Sequence, residues 1–194
     1  AKLSDNLKSI SDGMFIDCRN LKSVNIPDGV KSIGADAFYG CKRLTSIDIP
    51  ESVTSIGKEA FRYCSSLTSI VIPDSVKSIG NEAFEYCDKL ETLTLGKGIT
   101  DIGRSAFPSS ISKVYYTGDI NSWLGIESAL NAKPSNYELY FDGQLVTSIV
   151  IPDGVKSIGD YAFRGCDSIV SVTISSSVTS IGDYAFSNCD SIVS

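Results

Sequence analysis

The 194 residues contain no histidine. That absence removes Ser-His-Asp and Cys-His catalysis and every histidine-ligated metal site. It leaves carboxylate-only chemistry, which needs two Asp or Glu side chains converging in a cleft. There is no Lys/Arg run either, and the formal net charge is −6 with an isoelectric point near 4.6. The basic clusters that nucleic acid and anionic membranes require are missing, so neither is expected as a partner. No apolar stretch approaches the ~20 residues of a membrane-spanning helix, and membrane insertion is not expected. Charged Lys2 and polar Ser4 are not followed by an apolar run, so no secretory leader is read after Ala1. Phosphate loops, dinucleotide fingerprints, EF-hand loops and Cys-x-x-Cys pairs are all absent, and no cofactor or metal is expected. The rest is ordinary for a chain that buries a sizeable core: 42% hydrophobic and 21% charged residues.

The order of the chain appears in its cysteines. Cys18, Cys41, Cys64 and Cys87, and later Cys166 and Cys189, are spaced by 23 within each group. Phenylalanine keeps the same step at Phe15, Phe38, Phe61, Phe84 and Phe107, then at Phe163 and Phe186. The run Ile-Gly-x-x-Ala-Phe occurs six times, from Ile33, Ile56, Ile79, Ile102, Ile158 and Ile181, with a degenerate copy from Ile10. A fixed period of this length is the mark of a repeat array.

One unit reads Cys41, Leu44, Ile47, Ile49, Pro50, Val53, Ile56, Gly57, Ala60, Phe61. Leu44, Ile47 and Ile49 have the Leu-x-x-Leu-x-Leu spacing of a leucine-rich repeat. Ile47 and Ile49 alternate with Ser46 and Asp48, which predicts a short strand with one buried face. Pro50 cannot donate to a ladder and ends it. Gly57 is expected to turn the chain with a positive φ. One coil cannot bury its own apolar row, but coils stacked at the ~4.8 Å strand spacing can. The fold expected is a predominantly β repeat solenoid: a right-handed leucine-rich-repeat coil with 23-residue repeats, interrupted by a short helix and hairpin. It is read as a single domain over 1–194, regular over 1–107 and 146–194 and irregular over 108–145.

The units resemble the BspA-like (Treponema-type) leucine-rich repeats of bacterial surface proteins, also expanded in some protist surface proteins. Leu67, Ile70, Ile72, Pro73, Val76, Ile79, Gly80, Ala83, Phe84 and Cys87 match that family's pattern in order, and the resemblance spans about residues 3–107 and 146–194. It implies an extracellular or cell-surface protein without enzymatic activity that adheres to or binds a macromolecule. The ligand is expected to be a protein or glycan. The alternative role is a structural spacer presenting another domain.

Within 108–145 the pattern shifts. Ile111, Val114 and Tyr116 predict a displaced strand. Ile120, Trp123, Leu124, Glu127 and Leu130 predict an amphipathic helix from Asp119, its N-cap, to Asn131. Asp142-Gly143 is a two-residue hairpin signal between 137–141 and 144–151. Two readings stand side by side: a repeat variant in which Trp123 patches the core, and an inserted binding surface carrying the only tryptophan and Tyr115, Tyr116, Tyr137 and Tyr140.

The 23-residue step places the cysteines at one inward position with parallel Cβ vectors. That geometry is poor for disulfides, and free buried thiols are expected. The periodic acids, among them Asp28, Glu51, Asp74 and Asp153, read as solvated turns. The outward strand positions form the candidate partner-binding row: Asn25, Asp48, Val71, Thr94, Val150 and Thr173, with Tyr115 and Trp123 from the irregular segment. The last coil keeps repeat-like Val178, Ile181, Ala185 and Phe186 without a polar cap. It is therefore expected to be cut from a longer array and to associate end to end through that open coil.

Overall fold

A computed structural model describes residues 2–128, 134 and 136–193. Its strands are β1 (Ser9–Ile10), β2 (Ser32–Ile33), β3 (Ser55–Ile56), β4 (Ser69–Ile72), β5 (Ser78–Ile79), β6 (Thr92–Leu95), β7 (Asp101–Ile102) and β8 (Lys113–Tyr116). After helix α1 (Ile120–Leu124) follow β9 (Glu127–Ser128), β10 (Glu138–Phe141), β11 (Gln144–Leu145), β12 (Ser148–Ile151), β13 (Ser157–Ile158), β14 (Ser171–Ile174) and β15 (Ser180–Ile181).

Nearly all pairing is parallel and links one coil to the next. The narrow ladder runs β1-β2-β3-β5-β7-β9, and the wide one runs β4-β6-β8-β10, closed by antiparallel β11. Two shorter pairs, β12-β14 and β13-β15, continue both ladders. In the first coils the wide ladder is thinner than the alternating sequence predicts. Ile47 and Ile49 are buried and Asp48 exposed, but only single bridges join Lys2, Asn25 and Asp48. One apolar core runs from Ile10 to Cys189.

Like side chains stack on like. Successive rings Phe15, Phe38, Phe61, Phe84 and Phe107 lie 5.0–5.6 Å apart and nearly parallel. The cysteines are free thiols. Four look to backbone: Cys41 Sγ donates to the Phe15 carbonyl at 3.2 Å, Cys64 to Phe38 at 3.2 Å, Cys87 to Phe61 at 3.1 Å and Cys189 to Phe163 at 3.0 Å, while Cys166 Sγ meets the Ser168 hydroxyl at 3.5 Å. Cys18 departs from the inward expectation: it lies in the first coil and is exposed. Ser110, where the next cysteine was due, donates its hydroxyl to the Leu90 carbonyl at 2.9 Å.

The motif glycine is required for a different reason than the sequence suggested. Gly57 is not among the positive-φ residues. A Cβ there would sit 2.6 Å from the backbone of Gly34 and Ala35 in the preceding coil, and Gly80 meets Gly57 and Lys58 in the same way. These glycines set how closely the coils approach. The left-handed turns fall instead two residues later (Asp36, Glu59, Glu82, Tyr161, Tyr184) and just before the cysteine (Asp17, Gly40, Tyr63, Tyr86, Asn188). A bulky side chain held there costs about 1–2 kcal/mol.

The irregular segment keeps the solenoid closed. Strand β8 pairs in register with β6, as the shifted pattern predicted. Asp119 caps α1, accepting the Ser122 N–H at 2.9 Å. The helix is shorter than predicted. It ends at Gly125 because Glu127 and Ser128 are taken up by the narrow ladder, opposite Asp101 and Ile102. Leu130 and Asn131 lie outside the described residues. The Asp142-Gly143 turn forms with positive φ at both residues, between β10 and β11. The predicted return strand 144–151 is divided. Val146 N–H still bonds the Leu139 carbonyl of β10 at 2.8 Å, whereas the Thr147 carbonyl accepts the Val170 N–H of the next coil at 2.7 Å. At the last coil Ile181 is 50% exposed, Val178 and Phe186 are half-buried and Ala185 is buried.

Gly57→Ala is expected to lower stability by about 1–3 kcal/mol through overpacking. Gly125→Ala, where the nearest atom to a new Cβ is 3.5 Å away, should melt like the parent. Equal melting temperatures for both variants would remove the close-approach argument. Burial raises the Cys41 and Cys166 thiol pKa to about 11 and that of Cys87 to about 12, from an ordinary 9.0. At pH 8 an alkylating agent should therefore label Cys18 in the folded chain and all six cysteines after denaturation. Unfolded thiols ionise near 9.0 while the folded ones stay protonated, so stability should hold below pH 9 and decline as pH rises towards 11–12. Disulfide-linked, unlabelled chains would contradict this account.

Candidate binding surface

The outward residues of the wide ladder form one row because strand side chains alternate and the coils are in register. Val71, Thr94, Tyr115 and Tyr140 are direct neighbours across β4, β6, β8 and β10. Asn25 and Asp48 precede them, bridged to each other, and Val150 and Thr173 follow as a register pair on β12 and β14. Val71 is 59% and Val150 64% exposed, while Thr94 and Tyr115 are half-buried. A shallow hollow of about 320 Å³ opens on this face between Asp48 and Val71, with Ser46 and Ser69 on its walls.

Tyr115 and Tyr140 stack with ring centres 4.5 Å apart. The Tyr140 hydroxyl donates to Glu138 Oε2 at 2.8 Å, and that bond, with burial and the carboxylate charge, pushes its pKa up. Tyr140 belongs to the row but was not placed in it from the sequence. Its signal was present in the Tyr115-Tyr116 and Tyr140-Phe141 doublets, which hold equivalent positions although they lie 25 residues apart rather than 23.

Trp123 is corrected: it is not on this surface. It is 1% exposed, donates its indole N–H to the Ala162 carbonyl at 3.0 Å, and lies edge-on to Tyr116 at 5.2 Å. Its ring stands 6.5 Å from Phe163, so it supports the phenylalanine column beyond the irregular segment. An indole with one face against apolar rings and its N–H satisfied by backbone is a core residue. The segment thus divides by depth, with Trp123 and Tyr116 inside and Tyr115, Tyr140 and exposed Leu145 outside.

A second polar cluster lies on the return runs. Arg62 is bound to Glu59 at 2.8 Å, Glu82 at 2.9 Å and Glu85 at 2.8 Å, and its guanidinium is 5.3 and 5.2 Å from the ring centres of Tyr63 and Tyr86. Burial opposes its charge, but the Glu59 hydrogen bond and the three carboxylates outweigh burial and raise its pKa. Hydrogen bonds from Lys58 and Arg62 hold Glu59 below the usual carboxylate range. These acids are engaged by cations, and the cluster clamps neighbouring coils. Among the described residues no group of three or more acids and cysteines has metal-site geometry, and no helix is long and apolar enough to cross a membrane.

The model of the BspA type leucine-rich repeat region matches residues 1–113 and 136–194, in six copies. Among solved structures, a leucine-rich repeat protein from Bacteroides ovatus is 26% identical, with a TM-score of 0.55 over 99% of this chain and 64% of that one. The T. pallidum leucine-rich repeat protein is 24% identical, with a TM-score of 0.60 over 100% of this chain and 77% of that one. The pneumococcal vaccine antigen PcpA, 19% identical with a TM-score of 0.52, shares the fold over 89% of this chain and half of its own. The chain therefore spans less than two thirds of the Bacteroides protein. No curated protein matches it. The repeat motif, the stacked coils and the six matched copies agree: the chain belongs to the family of BspA-type leucine-rich-repeat proteins.

Proposed function

We propose that this chain is a non-enzymatic binding module of a surface-exposed or secreted protein, and that it engages a protein or glycan through the outer row of its wide ladder. The observation that carries this reading is the stacked Tyr115–Tyr140 pair, in line with exposed Val71 on a sheet whose inward side is locked into the core. Aromatic anchors on a rigid support dominate binding energy at interfaces, and a prearranged pair loses little entropy when a partner covers it. An exposed valine contributes about 1.5–3 kcal/mol when fully buried. The small polar neighbours Thr94 and Ser69 leave these anchors accessible. The surface or secreted setting is supported by the likeness of the repeats to those of bacterial surface proteins.

The test is a titration of the folded chain against extracellular-matrix proteins and a glycan array, repeated with Tyr115→Ser/Tyr140→Ser and with Val71→Lys. At least one matrix protein or glycan is expected to bind in the micromolar range. The tyrosine double variant should lose about tenfold or more in affinity, equivalent to about 1.4 kcal/mol. Both variants should keep the parent's circular dichroism. No binding at high micromolar concentration, or binding unchanged in both variants, would remove this face as the functional surface.

A further inference from the structure

The wide ladder breaks beyond its hairpin. β10 and β11 end its five-stranded part, and β12 pairs only with β14. Between β11 and β12 the chain folds back at Val146 and Thr147 and leaves an open groove of about 400 Å³. Leu145 and Val150, both exposed apolar side chains, are among the residues on its walls, with Ile120 and Phe141 completing the lining.

The backbone polarity of the β12 wall follows from its pairing. The Thr147 carbonyl accepts the Val170 N–H at 2.7 Å, in the direction of β14. Strand residues alternate in the edge to which their N–H and C=O point, so Ile149 also faces β14. Ser148 and Val150 then direct their N–H and C=O to the groove. Among the described residues no backbone group pairs with them. Next in sequence to the groove residues Phe141 and Ile120 are two exposed carboxylates, Asp142 in the turn and Asp119 at the helix cap, whose Oδ1 also holds the Ser122 N–H. They share a neighbouring hollow with Lys97, whose ammonium lies 3.8 Å from Asp74.

We propose that this groove takes an extended segment of a partner protein, added as a strand to the free edge of β12. Apolar side chains at alternate positions of that segment lie against Leu145 and Val150, and a Lys or Arg faces Asp119 and Asp142. The occupant is a peptide because the edge offers two N–H and two C=O groups at the spacing of one strand, which another backbone satisfies in register. It is basic at one end because the two carboxylates are there. The inference rests on the reading of the chain as a binding module, and it specifies a peptide partner and a place outside the tyrosine pair.

The probe is an octapeptide display library selected on the folded 194-residue chain and counter-selected on Val150→Pro. Proline removes the groove-facing N–H, is tolerated at a strand edge and leaves the β14 pairing in place. Enriched peptides are expected to alternate apolar residues and to carry a Lys or Arg near one end. They should bind the parent about tenfold or more tighter than Val150→Pro, and they should protect the Ser148 and Val150 amides from hydrogen exchange. Asp119→Asn/Asp142→Asn keeps the helix cap and the left-handed turn. It should weaken the same peptides about threefold and flatten their salt dependence. If Val150→Pro does not fold, amide protection in the parent decides alone. No enrichment, equal binding to a folded Val150→Pro, or unprotected amides overturns strand addition. The two readings fail separately: a matrix protein or glycan that depends on Tyr115 and Tyr140 while no peptide enriches refutes the groove and leaves the outer row standing.

Discussion

Everything in this chain depends on the contact between one coil and the next. Gly57 N–H reaches the Ile33 carbonyl at 2.8 Å, Gly80 reaches Ile56 at 2.9 Å and Phe61 reaches the Ala83 carbonyl at 2.8 Å, so consecutive coils meet backbone to backbone. The spacing is possible because a glycine stands where any Cβ would strike the coil before it. No coil closes a core alone, and its apolar row is buried only by its neighbours. Stability is therefore shared along the stack.

Close stacking makes each position meet its own equivalent, and this constrains chemistry more than composition does. Phenylalanine tolerates the arrangement because parallel, offset rings are favourable. Cysteine tolerates it because Cys41, Cys64, Cys87 and Cys189 each donate to a carbonyl of the previous coil, while burial keeps these thiols protonated. Charge would not tolerate it unaided. Glu59 and Glu82 stack one step apart, and Arg62 between them offsets their repulsion. Tyr63 and Tyr86 accept a left-handed backbone in the position Gly40 fills elsewhere, and their rings stack at 4.8 Å beside that arginine.

The irregular segment is where the stack departs from its period, and both candidate surfaces lie beside it. Inserting the hairpin β10–β11 adds a strand on the wide side without a matching addition on the narrow one among the described residues. The wide sheet divides there, and the groove opens between β11 and β12. The same insertion sets Tyr140 directly on Tyr115. Trp123 is buried beside Tyr116 and Phe163, and its N–H is satisfied by backbone.

The sequence alone determined the repeat, its period, the inward residues of the coils after the first, the free thiols, the N-cap at Asp119 and the Asp142-Gly143 turn. Each of these is a local rule, or a local rule repeated at a fixed step, and periodicity converts local rules into long-range contacts. The tertiary structure decided the rest. Gly57 read as a turn residue because its close neighbour lies in another coil. The helix from Asp119 read longer because the competing partner for Glu127 is Asp101, twenty-six residues earlier. Trp123 read both as a core patch and as a candidate contact, because amphipathic spacing does not reveal which aromatic faces inward once the period is lost, and its burial decides for the core. The groove at β12 was not legible at all, since an unpaired edge is a property of what the neighbouring strand fails to do, and no residue of β12 records it.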